Sequence, residues 1–227
     1  MDFDYSEEQQ QLADSLRKYL ANEYDFEKRK LIVKSASGAS DAVWQAFAEM
    51  GLTAIALPEA DGGFGGGAVD LMAAMEACGE ALVVEPLLDT IGLAARLIAR
   101  AGSTSQRTAV LPRVIDGSAK LAFAYLEPGR RYELDPQTTR ARADGAGWVL
   151  DGEKVVVMGA PLATQLVVSA KTAKGASLFL VDAKAPGVSL NPCRTVDGQR
   201  AADVHLTGVK LSGDALIGTE GAALAHI

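Results

Sequence analysis

The stretch GFGGGA at positions 63–68 has the G-x-G-x-x-A spacing of a turn that cradles a dinucleotide pyrophosphate. Such a turn must leave a strand directly and open a βαβ unit, because the pyrophosphate sits on backbone amides at the N-terminus of the helix that follows. Here Pro58-Glu59-Ala60-Asp61 precedes the glycines and another helix follows MEACGEAL, so the stretch reads as a mobile connector entering a helix capped by Asp70. Arg130 and Arg131 in EPGRRYE are adjacent guanidinium groups able to grip a carboxylate or phosphate, with an ordinary exposed loop as the competing reading. Glu7 and Glu8, and Glu23, Asp25 and Glu27, read as solvated helix faces, since an acid–base pair needs an apolar setting to separate its pKa values. Cys78 and Cys193 lack metal-ligand spacing and read as buried small hydrophobes, and His205 and His226 lie too far apart to form a cluster. No G-x-x-x-x-G-K-S/T, H-E-x-x-H or G-x-S-x-G pattern occurs, which leaves phosphotransferase and hydrolase chemistry without an anchor. No catalytic residue and no metal ligand is nominated.

The elements that would carry these groups change character half-way along the chain. Ser6 followed by Gln9 is a capping box, and Leu12, Leu16, Tyr19 and Leu20 then recur at helical spacing. Ser40 and Asp41 open a second helix with Val43, Trp44, Phe47 and Met50 on one side and Gly51 as its stop. A third runs from near Asp70 to about Ala81. A fourth starts at Pro86 with Leu87, Leu88, Ile91, Leu97 and Ile98 inward, and a fifth over Ser103 to Ile115 bends at Pro112. After Gly117 the segments KLAFAYLE, TTRARA, GWVLDGEKVVVMG, QLVVSAK, SLFLVDA, GVSLNP and AADVHLTGVKL are short, rich in Val and Leu, and separated by Gly, Asp and Pro. They predict an antiparallel β domain, with Asp151-Gly152 as a two-residue hairpin turn. The fold class is therefore α+β: an all-helical domain over 1–118, an antiparallel β-barrel domain over 119–220, and the start of a further helix over 221–227.

Composition narrows the partners. With 22 basic against 29 acidic residues the net charge is −7, which repels nucleic-acid backbones and anionic lipid. No apolar run approaches the roughly 20 residues of a membrane helix, and the start MDFDYSEEQQ is acidic where a secretion signal is basic, so a cytoplasmic location is expected.

Taken in order, GLTAIALPEADGGFGGGAVDLMAAMEACGEAL, LAFAYLEPG, GWVLDGEKVVVMGAPLATQLVVSAKT, SLFLVDAKAPGVSLNP and VDGQRAADVHLTGVKLSGDALIG resemble the N-terminal and middle domains of the acyl-CoA dehydrogenase family. The segments MDFDYSEEQQQLADSLRKYLANEYDFEKRK and LAFAYLEPGRRYEL are most similar to small subunits of the heteromeric pimeloyl-CoA dehydrogenase type. The resemblance implies FAD-dependent α,β-dehydrogenation of an acyl-CoA thioester, with electron-transfer flavoprotein as reoxidant and a homologous partner subunit. It also implies a carboxy-terminal four-helix domain, the usual source of the catalytic glutamate, which is not among these segments.

The departures from the family pattern fall on the expected cofactor wall, Tyr125, Leu126, Glu127, Val156, Val157 and Met158. Leu126 stands where the family's Thr-Glu-Pro strand supplies a hydroxyl, and Val156, Val157 and Met158 stand where it supplies an aromatic ring, an aliphatic residue and a hydroxyl. Arg131, Tyr132 and Glu133 replace the Gly-Ser-Asp that helps hold the acyl-CoA, which makes Arg131 and Tyr132 the candidate substrate contacts and Arg130 or Arg131 a candidate grip on a distal carboxylate. Each lost hydrogen bond costs about 0.5–1.5 kcal/mol. The expectation is a subunit that holds FAD weakly or not at all and assists a catalytic partner. A flavin-free structural partner and a flavin-dependent monooxygenase on the same fold are the alternatives.

Overall fold

The computed structural model describes residues 5–227; Met1 to Asp4, part of the acidic start, lie outside the described residues. Helix α1 (Glu7–Glu23) begins on the capping box, in which Ser6 accepts from the Gln9 amide and the Gln9 side chain accepts from the Ser6 amide. It buries Ala13, Leu16 and Leu20. Helix α2 (Phe26–Lys34) has no buried residue, and so no apolar stripe announces it. It is held by the Asp25 cap and by arginines: Arg29 donates to the carbonyls of Leu82 and Asp197, and Arg200 to those of Val33, Ser35 and Ser37. Asp25→Ala is expected to cost about 1 kcal/mol through the lost cap, a fall of about 2–4 °C in Tm; an unchanged melting curve would place the hold on α2 in the arginines alone.

Helices α3 (Asp41–Glu49), α4 (Ala68–Glu80), α5 (Ala95–Ala101) and α6 (Thr104–Ile115) complete the helical half. Seven residues of π-helix, Leu88–Ala94, run directly into α5. Its wider turn breaks the 3.6-residue period, and Leu88, expected inward, is exposed. Thr90 lies on the other side, buried, where its hydroxyl bonds the backbone of Leu121 and ties the π-helix to the first strand.

The strands form one eight-stranded sheet. Its order is β6 (Val188–Arg194), β7 (Arg200–Leu211), β3 (Gly147–Met158), β2 (Arg140–Asp144), β4 (Gln165–Thr172), β5 (Gly175–Asp182) and β8 (Leu216–Ile217), with β1 (Leu121–Ala124) on β4. Most pairs are antiparallel, but β1 lies parallel to β4, as does β2 through its single pairing of Arg140 with Lys171. Alternate residues of the central strands face two cores: Leu121, Phe123, Val167 and Leu178 pack under the helices, while Ala122, Ala124, Leu166, Val168 and Phe179 pack on the opposite side. Burial on both faces explains the nearly continuous apolar runs of these segments.

Two sequence expectations are corrected here. Asp151-Gly152 is not a hairpin turn; β3 continues through it as a bulge against β7, with Asp151 accepting from the Gly208 amide and Gly152 lying against Thr139, where a Cβ would fall 2.5 Å from its Cα. The turn lies earlier, at Gly145 (φ +58°). Cys78 is buried as expected, but Cys193 sits exposed on the edge strand β6. Among the described residues no helix is long and apolar enough to cross a membrane.

Candidate functional site

The segment after β1 is fixed by one buried ion pair. Lys154 on β3 and Glu127 are essentially without solvent contact, and the ammonium donates to Glu127 Oε1 at 3.0 Å, Ser169 Oγ at 3.0 Å and the Tyr125 carbonyl at 3.2 Å. The carboxylate also accepts from the amides of Gln137, Thr138 and Thr139 and from the Thr138 hydroxyl. Burial alone would raise the Glu127 pKa, but these amides and the Lys154 ammonium together hold it at about 2. Burial pushes Lys154 down to about 8 against the pull of Glu127, so the pair is ionised at neutral pH. The side chain of Glu127 is thus turned into the protein, so that on the expected cofactor wall this residue presents its backbone.

The rest of that wall gathers around a narrow cleft. Tyr125 and Leu126 from the strand exit, Val156, Val157 and Met158 from the end of β3, and Asp89 and Leu93 from the π-helix line it, Val157 being buried and packed into the core as well. Val156 has φ +49°, a conformation rare for a β-branched residue and costing on the order of 1–3 kcal/mol. It is imposed by the irregularity in the β3–β7 register between Lys154 and Val157. Two hydrogen bonds of 2.9 Å fix it, from the Val155 amide to the Leu126 carbonyl and from the Val156 amide to Asp203 Oδ1. Among the described residues no side chain donates a hydrogen bond to Asp89, and burial raises its pKa.

This wall lacks side-chain groups that the family pattern would turn toward a flavin. Leu126 and Met158 bring no hydroxyl, Val156 brings no ring, and the amides of Val155 and Val156 are already engaged. The cleft measures about 70 Å³.

A wider cleft of about 330 Å³ adjoins it, sharing Leu93, Phe123 and Tyr125. The Phe123 and Tyr125 rings stack at 4.8 Å on its sheet side, and Arg96 and Arg100 line its helix side. The substrate contacts named from the sequence lie on the exposed loop: Arg130 is paired with Glu133 at 2.9 Å, Arg131 is exposed at φ +48°, and Tyr132 is 94% exposed. Neither Arg131 nor Tyr132 lines either cleft. Lys154, Asp89, Arg96 and Arg100 were missed in the sequence. The i, i+4 spacing of Arg96 and Arg100 was the available signal, whereas a buried lysine in a strand has none.

The glycine-rich stretch stands apart from this wall. Its amides at Gly63, Phe64, Gly65 and Gly66 bond back to Pro58, Ala54, Leu57 and Ile55, which makes it a folded loop rather than a mobile connector or a dinucleotide turn.

Comparison with known proteins agrees with this architecture. Residues 6–118 match the family model for the acyl-CoA dehydrogenase N-terminal domain and residues 122–210 that for the middle domain. Acyl-CoA dehydrogenase FadE12 of Mycobacterium tuberculosis (strain ATCC 25618 / H37Rv) is 34% identical over 236 residues, covering 98% of this chain and 59% of its own. The solved Tcur3481-Tcur3483 steroid ACAD G363A variant superposes with a TM-score of 0.87 at 35% identity, covering 96% of this chain and 58% of that one. The ChsE4-ChsE5 complex from Mycobacterium tuberculosis superposes with a TM-score of 0.90 at 26% identity, covering 100% and 61%. This chain thus spans about three fifths of the length of these relatives. With both domain matches, a relative along nearly its whole length and helices packed on a β sheet in the same order, the chain belongs to the acyl-CoA dehydrogenase family.

Proposed function

We propose that this chain is the flavin-poor subunit of a two-component acyl-CoA dehydrogenase. It assists a homologous subunit that carries out FAD-dependent α,β-dehydrogenation of an acyl-CoA thioester, with electron-transfer flavoprotein as the reoxidant. The observation that carries this reading is the cleft wall itself: at Leu126, Val156 and Met158 a family scaffold is kept while the hydroxyls and ring that would face a flavin are absent. The names of two similar structures, Tcur3481-Tcur3483 and ChsE4-ChsE5, each join two proteins, which supports a partnered reading.

The test is flavin titration followed by absorbance. The chain alone is expected to leave added FAD free, and Leu126→Thr with Met158→Thr to tighten binding about tenfold, two hydrogen bonds at about 0.5–1.5 kcal/mol each. Stoichiometric FAD on the unaltered chain, bleached by an acyl-CoA, would overturn the reading.

A further inference from the structure

Both ends of the segment that carries α2 converge on one buried carboxyl. Ser40, which closes the segment as the cap of α3, donates its amide to Glu85 Oε1 at 2.9 Å. Tyr24, which opens it, is buried and accepts the Val84 amide on its hydroxyl at 3.1 Å. Between them Arg29 donates to the Leu82 carbonyl at 2.6 Å. Glu85 is 5% exposed, and among the described residues its Oε2 has no hydrogen-bond partner and no cation pairs with it. The titratable groups that face it are Tyr19 on α1, Tyr24 at the end of α1 and Cys78 on α4, none of them a cation. From α2 the nearby charge is Arg29, engaged with the carbonyls of Leu82 and Asp197, and α3 offers the Ser40 amide. A carboxyl buried without a counter-charge favours its neutral form. Burial accordingly raises the Glu85 pKa from its ordinary value, against the pull of the Ser40 amide and the Tyr24 hydroxyl.

The segment over this carboxyl is lightly held. Helix α2 buries none of its residues, and Ile32, only partly buried, is the one that packs against the helical core. Its other anchors are the Asp25 cap and the bonds from Arg29 and Arg200 to backbone carbonyls, which also tie it to the hairpin between β6 and β7. Segments with few buried apolar contacts open locally at low cost. Opening would bring water to Glu85 and lift the penalty on its ionised form. We propose that α2 is a proton-linked strap, closed over Glu85 while that carboxyl is protonated and released, with its tie to the β6–β7 hairpin, when Glu85 ionises. The sign follows from burial. Because the closed-state pKa lies above the ordinary 4.5, the hold contributed by the neutral acid is complete below that value and is lost as pH rises through the raised one.

Hydrogen exchange of the whole chain tests this, read by mass spectrometry on peptides spanning 25–40 and corrected for the pH dependence of intrinsic exchange. The opening constant of α2 is expected to climb with pH toward a limiting slope of about tenfold per pH unit, that of one linked proton. Peptides of α6 should stay level over the same range. In Glu85→Gln, which keeps the shape of the side chain and cannot ionise, the climb should vanish. Arg200→Gln should raise the opening of α2 at every pH and leave the climb in place, since it loosens the strap without touching the carboxyl. Melting curves of the variants confirm that they remain folded. Opening of α2 that does not change with pH, a climb shared equally by α6, or a climb that survives in Glu85→Gln would each overturn the inference. The first two are read on the unaltered chain and need no variant.

Discussion

Lys154→Met is expected to lower the melting temperature by about 10 °C. The substitution keeps the length of the side chain but leaves the buried Glu127 carboxylate without its counter-charge, and it also removes the donor to Ser169 and to the Tyr125 carbonyl. Breaking a buried pair on one side costs about 3–5 kcal/mol. The lower end applies here because three backbone amides and the Thr138 hydroxyl still bond the carboxylate. At about 2–4 °C per kcal/mol for a chain of this size, 3 kcal/mol gives the stated fall. The same pair sets an acid limit. Because the folded carboxyl titrates at about 2, below its ordinary 4.5, its contribution is complete above about pH 4.5 and is lost as pH falls toward 2. In Glu127→Gln that part of the acid slope should vanish. A Lys154→Met protein that melts within 3 °C of the parent would show that the pair does not brace the fold. The consequence reaches the candidate site, since Leu126 and Val156 flank the two partners in sequence and are tied to each other through Val155.

What could be read from the sequence follows from whether a feature was local or depended on distant contacts. The capping box of α1 and the strand segments carried their own signals, because side-chain spacing and burial coincide there. Helix α2 gave none, being held at its surface by its own Arg29 reaching Leu82 and Asp197 and by Arg200 from distant sequence. Asp151-Gly152 has the composition of a hairpin turn, yet the β7 strand pairs across it and turns it into a bulge; no local rule separates these outcomes. The expected cofactor wall rests on the family resemblance alone, which pointed to Leu126, Val156 and Met158. The inward turn of Glu127 was not legible, because its partner lies 27 residues away. The π-helix likewise escaped the 3.6-residue period, and with it the placement of Asp89 and Leu88.

Gly63→Ala is expected to destabilise the protein by about 3 kcal/mol, and Gly66→Ala by a similar amount. At neither position is the backbone dihedral the reason; neither has positive φ. A Cβ on Gly63 would lie 2.2 Å from the Leu57 carbonyl oxygen, and one on Gly66 would lie 2.4 Å from the Ile55 carbonyl oxygen. Those two oxygens accept from the amides of Gly65 and Gly66, at 2.8 Å and 2.9 Å, so they cannot withdraw without breaking the bonds that fold the loop. Overpacking costs about 1–3 kcal/mol and a lost hydrogen bond about 1 kcal/mol more. Gly67→Ala is the control, since its Cβ would meet nothing closer than Asp70 Oδ2 at 3.8 Å. The pair separates the two origins of the glycine spacing. A pyrophosphate fingerprint restricts position 63 and leaves position 66 free, whereas close backbone approach restricts both. Denaturant titrations in which Gly66→Ala matches Gly67→Ala would restore the fingerprint reading. A large loss at both 63 and 66 ties the glycines to the shape of the loop whose Gly65 and Gly66 face Arg96 and Arg100 across a third, shallow cleft.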